Sequence, residues 1–345
     1  MKQEQREFWA INQLFIFLAM LFIILFSLKA ASEIIVPILI SLVISIILSP
    51  LFSFLESKNI SKGISLIVIV FLALMIIIFF GGYVINEAKD FIANYQTIKM
   101  KFLESEHHLL AYLKNFGITI EEARINSVFE QSNLIGMIKK FIAQANNQFS
   151  NLFIIFFMVA FMLLESDGFY AKIIRIAKDY DIDSKIFLEI LEKIKSYFLI
   201  KAKTSLLTGT LVLAILWFYN IPYYYMWAVL AFFLNFIPVV GSILAAIPAV
   251  LFAFVTYDFI TMVWISLWYL GVNMLVGNFL EPRIMGKGLG MSALVIFISM
   301  TFWGWLFGPT GMILSVPLTM VVQYIFAQYH ETKWISLMLS DFKEI

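Results

Sequence analysis

The chain has 345 residues, of which 62% are hydrophobic and only 14% charged, with 24 Lys and Arg against 23 Asp and Glu. Soluble domains are nearer half apolar and a quarter charged, so a large water-facing core is excluded and a polytopic membrane protein is implied. The near-neutral balance leaves no basic footprint for nucleic acid, and the lack of any cysteine removes disulfides, thiolate metal sites and thiol nucleophiles.

In chain order, Lys2 and Arg6 precede an uncharged run over 8–28. A secretory signal has an apolar region of about 7–15 residues, so the run reads as an uncleaved first span. Further uncharged runs over 34–55, 63–86 and 141–164 are each long enough to cross a bilayer. Between the last two lies a polar segment, 87–140, whose apolar residues recur near helical spacing; it is expected to be a helical insert outside the membrane. His107 and His108 are adjacent, so they point to different faces and make no metal pair. Span four is expected over 141–165. The segment 166–203 is rich in lysine and arginine interleaved with isoleucine and leucine, an amphipathic, interface-lying pattern. The positive-inside rule places it in the cytoplasm together with Lys58, Lys62 and the N-terminus, which puts the insert outside.

Residues 204–257 contain no charged residue and no histidine. One helix of that length would run about 80 Å against a hydrocarbon core of about 30 Å, so the run must turn at least once. The string Tyr219-Asn220-Ile221-Pro222-Tyr223-Tyr224-Tyr225 suits a headgroup interface. The other break, Pro238 to Gly241 and Ser242, sits in apolar sequence, where freed backbone groups are tolerable only against protein or a water-filled cavity. After Asp258 comes an uncharged run over 259–280, then Glu281, Pro282, Arg283 and Lys287. A second long uncharged run over 288–329 is broken at Gly308, Pro309 and Gly311, before a cytoplasmic tail over 331–345. The two breaks echo each other: Pro238, Gly241, Ile243, Leu244 and Pro248 face Pro309, Gly311, Ile313, Leu314 and Pro317, one residue out of step on each side of the glycine. If 225–257 is a re-entrant hairpin, Arg283 and Lys287 fall in the cytoplasm, as the charge rule requires. The rule leaves open whether 291–326 forms two full spans or a second hairpin.

These residues carry a resemblance. Ser205-Leu206-Leu207-Thr208-Gly209, Leu234-Asn235-Phe236-Ile237-Pro238-Val239-Val240-Gly241-Ser242 and Gly277-Asn278-Phe279-Leu280-Glu281-Pro282-Arg283 are followed by Trp303-Gly304-Trp305, Gly308-Pro309-Thr310-Gly311 and Ser315-Val316-Pro317-Leu318-Thr319. This ordered string resembles the autoinducer-2 exporter (AI-2E) family of bacterial membrane proteins over roughly 197–330. The first half matches mainly in span pattern, and Met291-Ser292-Ala293 departs from it where the family more often has a proline. The resemblance implies a transporter in the bacterial inner membrane that exports a small polar molecule of the autoinducer-2 kind. The family's other proposed activity, sodium(lithium)–proton antiport, is the alternative, with a non-transporting scaffold behind it.

The expected architecture is all-α, with about eight transmembrane helices and one or two Gly/Pro-broken re-entrant hairpins; the transport core spans 204–330. No phosphate-binding loop, metal cluster or catalytic set is legible, so neither a cofactor nor an enzyme is expected. The expected transport route comprises Asn235, Pro238, Gly241, Ser242, Asn273 and Asn278, with Gly308, Pro309, Thr310, Gly311, Ser315 and Thr319 from the second break. Their amides and hydroxyls can bind a polyol, although polar side chains also bond helices to one another in membranes. Glu281 and Arg283 are expected to form a gate, an ion-coupling site or an interfacial ion pair. The partners expected are lipid, a small polar solute and further copies of the chain.

Overall fold

Apolar runs fold as helices in lipid because each segment then satisfies its own backbone groups. The computed structural model describes residues 2–98, 100, 134–179, 184–238, 240–285 and 291–340. Most of the expected insert over 87–140, with His107 and His108, lies outside the described residues, as do Val239, Lys287 and the end of the tail. The described residues are helical, and their only extended pairing is an isolated bridge between Met291 and Ser340. Among the described residues, six helices are long and apolar enough to cross a membrane: Ser32–Ser57, Lys62–Ala93, Leu152–Ile176, Leu188–Phe218, Phe259–Ile284 and Ala293–Ala327. Shorter apolar helices accompany them, and large apolar side chains such as Ile67, Ile78, Phe153 and Phe218 stand exposed along their faces. Such a surface is stable only against hydrocarbon. The chain is an all-α, multi-pass membrane protein.

The helices are α1 (Lys2–Ala30), α2 (Ser32–Ser57), α3 (Lys62–Ala93), α4 (Leu134–Asp179), α5 (Ser184–Phe218), α6 (Tyr224–Leu234), α7 (Gly241–Thr256), α8 (Phe259–Asn273), α9 (Glu281–Met285), α10 (Ala293–Ala327) and α11 (Lys333–Leu339). A widened π-helical segment, Met274–Leu280, joins α8 to α9. The chain divides into two compact units, one of residues 45–290 and one of residues 1–44 with 291–345.

In the unit of residues 45–290, Lys62 donates to Asp167 at 2.6 Å, tying the start of α3 to α4. Both groups are well exposed, so the pair adds little stability and mainly marks the start of α3 as level with Asp167 of α4. The helices α6 and α7 have 11 and 16 residues, about 16 and 24 Å, each short of a full crossing. They fold back on each other as a hairpin. Gly241, Ala245, Ala249 and Ala253 recur every fourth residue along α7, all buried, and this small-residue ridge lets α7 close on its neighbours. The Tyr257 hydroxyl donates to the Asn220 carbonyl at 2.9 Å, so the hairpin begins and ends at one level. From there α8 runs antiparallel to α5: Trp268 Nε1 donates to the Tyr219 hydroxyl near one end, and Lys201 pairs with Glu281 near the other. The exposed Trp217, Phe218, Tyr257 and Trp264 gather toward the Tyr219 end, the aromatic girdle of a membrane interface.

The opening of α6 needs help from outside. Its first N–H groups have no intrahelical acceptor, and Tyr223, with φ of 62°, offers no side-chain cap. The Glu87 carboxylate on α3 accepts the Met226 N–H at 2.7 Å instead. Phe91, also on α3, packs its ring against Tyr223, Trp227 and Phe252, which anchors both arms of the hairpin to α3.

In the other unit, α10 starts at Ser292, whose hydroxyl accepts the Val295 N–H at 3.3 Å; this cap supplies the start signal where the proline was absent. The helix breaks at Gly308, with φ of 66° and ψ of −150°, a conformation open essentially to glycine. The arms over 293–307 and 309–327 then fold together. Ser299 donates to the Ser315 carbonyl at 3.1 Å and bonds the Thr319 hydroxyl, to which Trp303 Nε1 also donates at 2.9 Å. In an unbroken helix Ser299 and Thr319 would stand about 30 Å apart.

Candidate functional site

The two breaks share one close contact. A Cβ at Gly241 would collide with the Leu234 carbonyl that closes α6, and a Cβ at Gly311 would collide with the Trp303 carbonyl in the last turn of the first arm of α10. In both, the first turn of the second arm lies against a carbonyl from the last turn of the first, a close approach that only glycine permits. The echo read in the sequence is therefore a shared close contact at the glycine, reached through a loop between Leu234 and Gly241 in the first break and through the single residue Gly308 in the second.

The candidate site sits at the base of the first hairpin, within the unit of residues 45–290. A cavity with room for about one water molecule is lined by Thr208 and Val212 of α5, Ala231 of α6, Ser242 and Ala245 of α7, and Tyr269, Val272 and Asn273 of α8. Four helices converge there because Gly241 and the alanine ridge bring α7 in closely. Thr208 and Tyr269 are 6% and 7% exposed, and their hydroxyls find no hydrogen-bond partner among the described residues. No charged side chain lines the cavity.

A polar stripe descends α5 from this cavity. Thr208, Ser205, Lys201 and Tyr197 recur every three or four residues, with Thr204 next to Ser205, and all are buried. Asn235, the last residue before the turn, donates to Ser205 Oγ at 3.0 Å, so it bonds α6 to α5 just below the cavity. About 10 Å along the helix from Thr208, Lys201 Nζ donates to Glu281 Oε1 at 2.6 Å. These side chains are 7% and 15% exposed, a buried ion pair.

The structure sorts the expected residues plainly. Ser242 and Asn273 line the cavity, Asn235 stands beside it, and Pro238 and Gly241 form the turn. Asn278 lies exposed on the π-helical segment, away from the cavity lining. In the other unit, Gly308, Pro309, Thr310 and Gly311 form the second turn, and Ser315 and Thr319 are taken up in bonds between the arms of α10. Glu281 pairs with Lys201 of α5 where Arg283 was the expected ionic neighbour; the Arg283 guanidinium lies 3.8 Å over the Phe279 ring instead. Lys201, Thr208 and Tyr269 were missed in the sequence, although the spacing of Tyr197, Lys201, Ser205 and Thr208 on one helical face was there to be read.

The family described as "AI-2E family transporter" matches residues 14–331. "AI-2 transport protein TqsA" of Escherichia coli (strain K12) is 32% identical over 329 residues, 94% of this chain and 95% of that protein. A Haemophilus influenzae relative is 31% identical over 333 residues, 95% of this chain and 96% of its own length. The YhhT protein of Escherichia coli (strain K12) is 28% identical over 304 residues, 88% of this chain and 87% of its own.

Proposed function

The chain belongs to the AI-2E transporter family, and from that premise we propose that it exports a small polar molecule of the autoinducer-2 kind by a secondary or facilitative mechanism. It is a multi-pass protein of the bacterial inner membrane. The observation that carries the reading is the hairpin of α6 and α7. It is too short to cross, is pinned at both ends to one level, and closes on a small cavity with uncharged polar groups. Such a hairpin is re-entrant: it dips into the membrane from the outer side and brings an irregular turn to a depth where only protein or solute can meet its backbone. Ser242, Asn273 and Asn235 offer both donors and acceptors to the solute. The ion pair of Lys201 and Glu281, with Arg283 beyond it, gates the cytoplasmic end. The turn at Gly308 to Gly311 is a second break with a glycine held against a backbone carbonyl.

The test is flux. Purified protein in sealed vesicles is expected to pass labelled AI-2 several-fold faster than protein-free vesicles. Equal rates, with the protein shown to be folded, would refute the reading.

A further inference from the structure

We propose that Tyr269 and Thr208 select the transported solute, and that they select an uncharged molecule carrying at least two hydroxyl groups. This assignment rests on the transport reading above and names the solute class that the cavity accepts. Its basis is an oddity of burial. Both hydroxyls are more than nine-tenths buried, both belong to residues lining one cavity, and neither bonds to any group among the described residues. A buried polar atom without a partner is costly and rare. Phenylalanine and valine would fill the same space without that cost, so packing alone gives no reason for these hydroxyls.

The rest of the lining sets the chemistry of what they meet. Ser242 adds a third hydroxyl and Asn273 an amide, so the hydroxyls can accept as well as donate, while the amide oxygen accepts and the amide nitrogen donates. The remaining wall is Val212, Ala231, Ala245 and Val272, which suits a carbon skeleton. A charged solute would leave its hydration shell for a site with no counter-charge. The nearest charges on the stripe, Lys201 and Glu281, already neutralise each other. The cavity holds about one water molecule in this state, so it accepts the whole solute only after α6 and α7 move away from α5 and α8. A site built to hydrogen-bond hydroxyls rejects analogues that lack them, because its own polar groups would stay unpaired.

The experiment uses the full chain with Tyr269→Phe and Thr208→Val, two near-isosteric changes, and takes two readouts. The first is the unfolding temperature of purified protein without solute. It is expected to hold or rise, since each change removes an unpartnered hydroxyl; a fall in both variants means the hydroxyls are satisfied within the protein and overturns the assignment. The second is flux in vesicles. Each variant is expected to raise KM for labelled AI-2 about tenfold, the worth of one hydrogen bond to the solute. Unlabelled xylitol is expected to compete with AI-2 and gluconate to fail. Wild-type flux with unchanged KM in both variants, or competition by gluconate equal to xylitol, overturns the assignment and leaves the transport reading standing. A wild-type protein that passes neither AI-2 nor xylitol overturns both.

Discussion

Replacing Glu281 with glutamine strands the Lys201 ammonium inside the protein. The wild-type pair has Nζ and Oε1 at 2.6 Å, with side chains 7% and 15% exposed. At an effective dielectric of about 20 their attraction is roughly 6 kcal/mol. Desolvation costs several kcal/mol per ion, so the intact pair comes out near break-even. Removing one partner keeps the other's desolvation cost and forfeits the attraction, which amounts to about 3–5 kcal/mol. Glu281→Gln and Lys201→Met are therefore each expected to lose that much stability, while the double variant recovers most of it. Unfolding followed by tryptophan fluorescence in lipid nanodiscs, run as a double-mutant cycle, measures the coupling. Single variants within about 0.5 kcal/mol of wild type would refute the reasoning, because only solvated charges behave that way. With stability restored, the double variant also isolates the gate: altered flux of labelled AI-2 supports it, and wild-type flux reduces the pair to a clamp between α5 and α9.

Gly241→Ala and Gly311→Ala each drive a Cβ into a backbone carbonyl and are expected to cost about 1–3 kcal/mol or more, whereas Gly271→Ala, with open space around it, is expected to be neutral or stabilising by up to about 1 kcal/mol; unfolding in the same nanodiscs separates them. Asp258 caps α8 by accepting the Thr261 N–H at 2.6 Å, and its bonds to Thr261 hold its carboxyl below the usual aspartate range. A depressed folded-state value means the cap's extra stability is present at neutral pH and lost as pH falls through that value. Asp258→Asn is expected to flatten the acid side of the stability profile, and Asp258→Ala to cost about 1 kcal/mol at neutral pH.

Much of the fold was legible because membrane helices are written as uncharged runs. The run at 34–55 became α2, and that at 63–86 became the body of α3. The two breaks were equally visible, since proline and glycine interrupt sequence that otherwise has nothing to stop a helix. The arms of α10 fold back on each other, as the bonds of Ser299 to Ser315 and Thr319 require, an arrangement common to two full spans and to a hairpin. The polar interior was harder to see. Lys201 looked like one of many cytoplasmic lysines, because its burial depends on α9 packing back against α5 80 residues later in the chain. Glu87 looked like the start of the polar insert, yet it caps α6 from a helix that precedes it by 139 residues. Tyr269 reads as one more aromatic in an apolar run, and only the cavity shows that its hydroxyl lacks a partner. Local composition carries the helices; which polar group meets which is decided by tertiary packing.

Because the chain has no native cysteine, Ser242→Cys can be read without background. If solute passes the tip of the α6–α7 hairpin, this thiol is expected to react with a small water-soluble thiol reagent in sealed vesicles, and AI-2 is expected to slow the reaction. Val263→Cys, on an exposed apolar face of α8, is expected to stay unreacted. A Ser242→Cys thiol that is inert from both sides of the membrane in folded protein would contradict the account: the tip would then be a buried packing turn, and the route would run elsewhere.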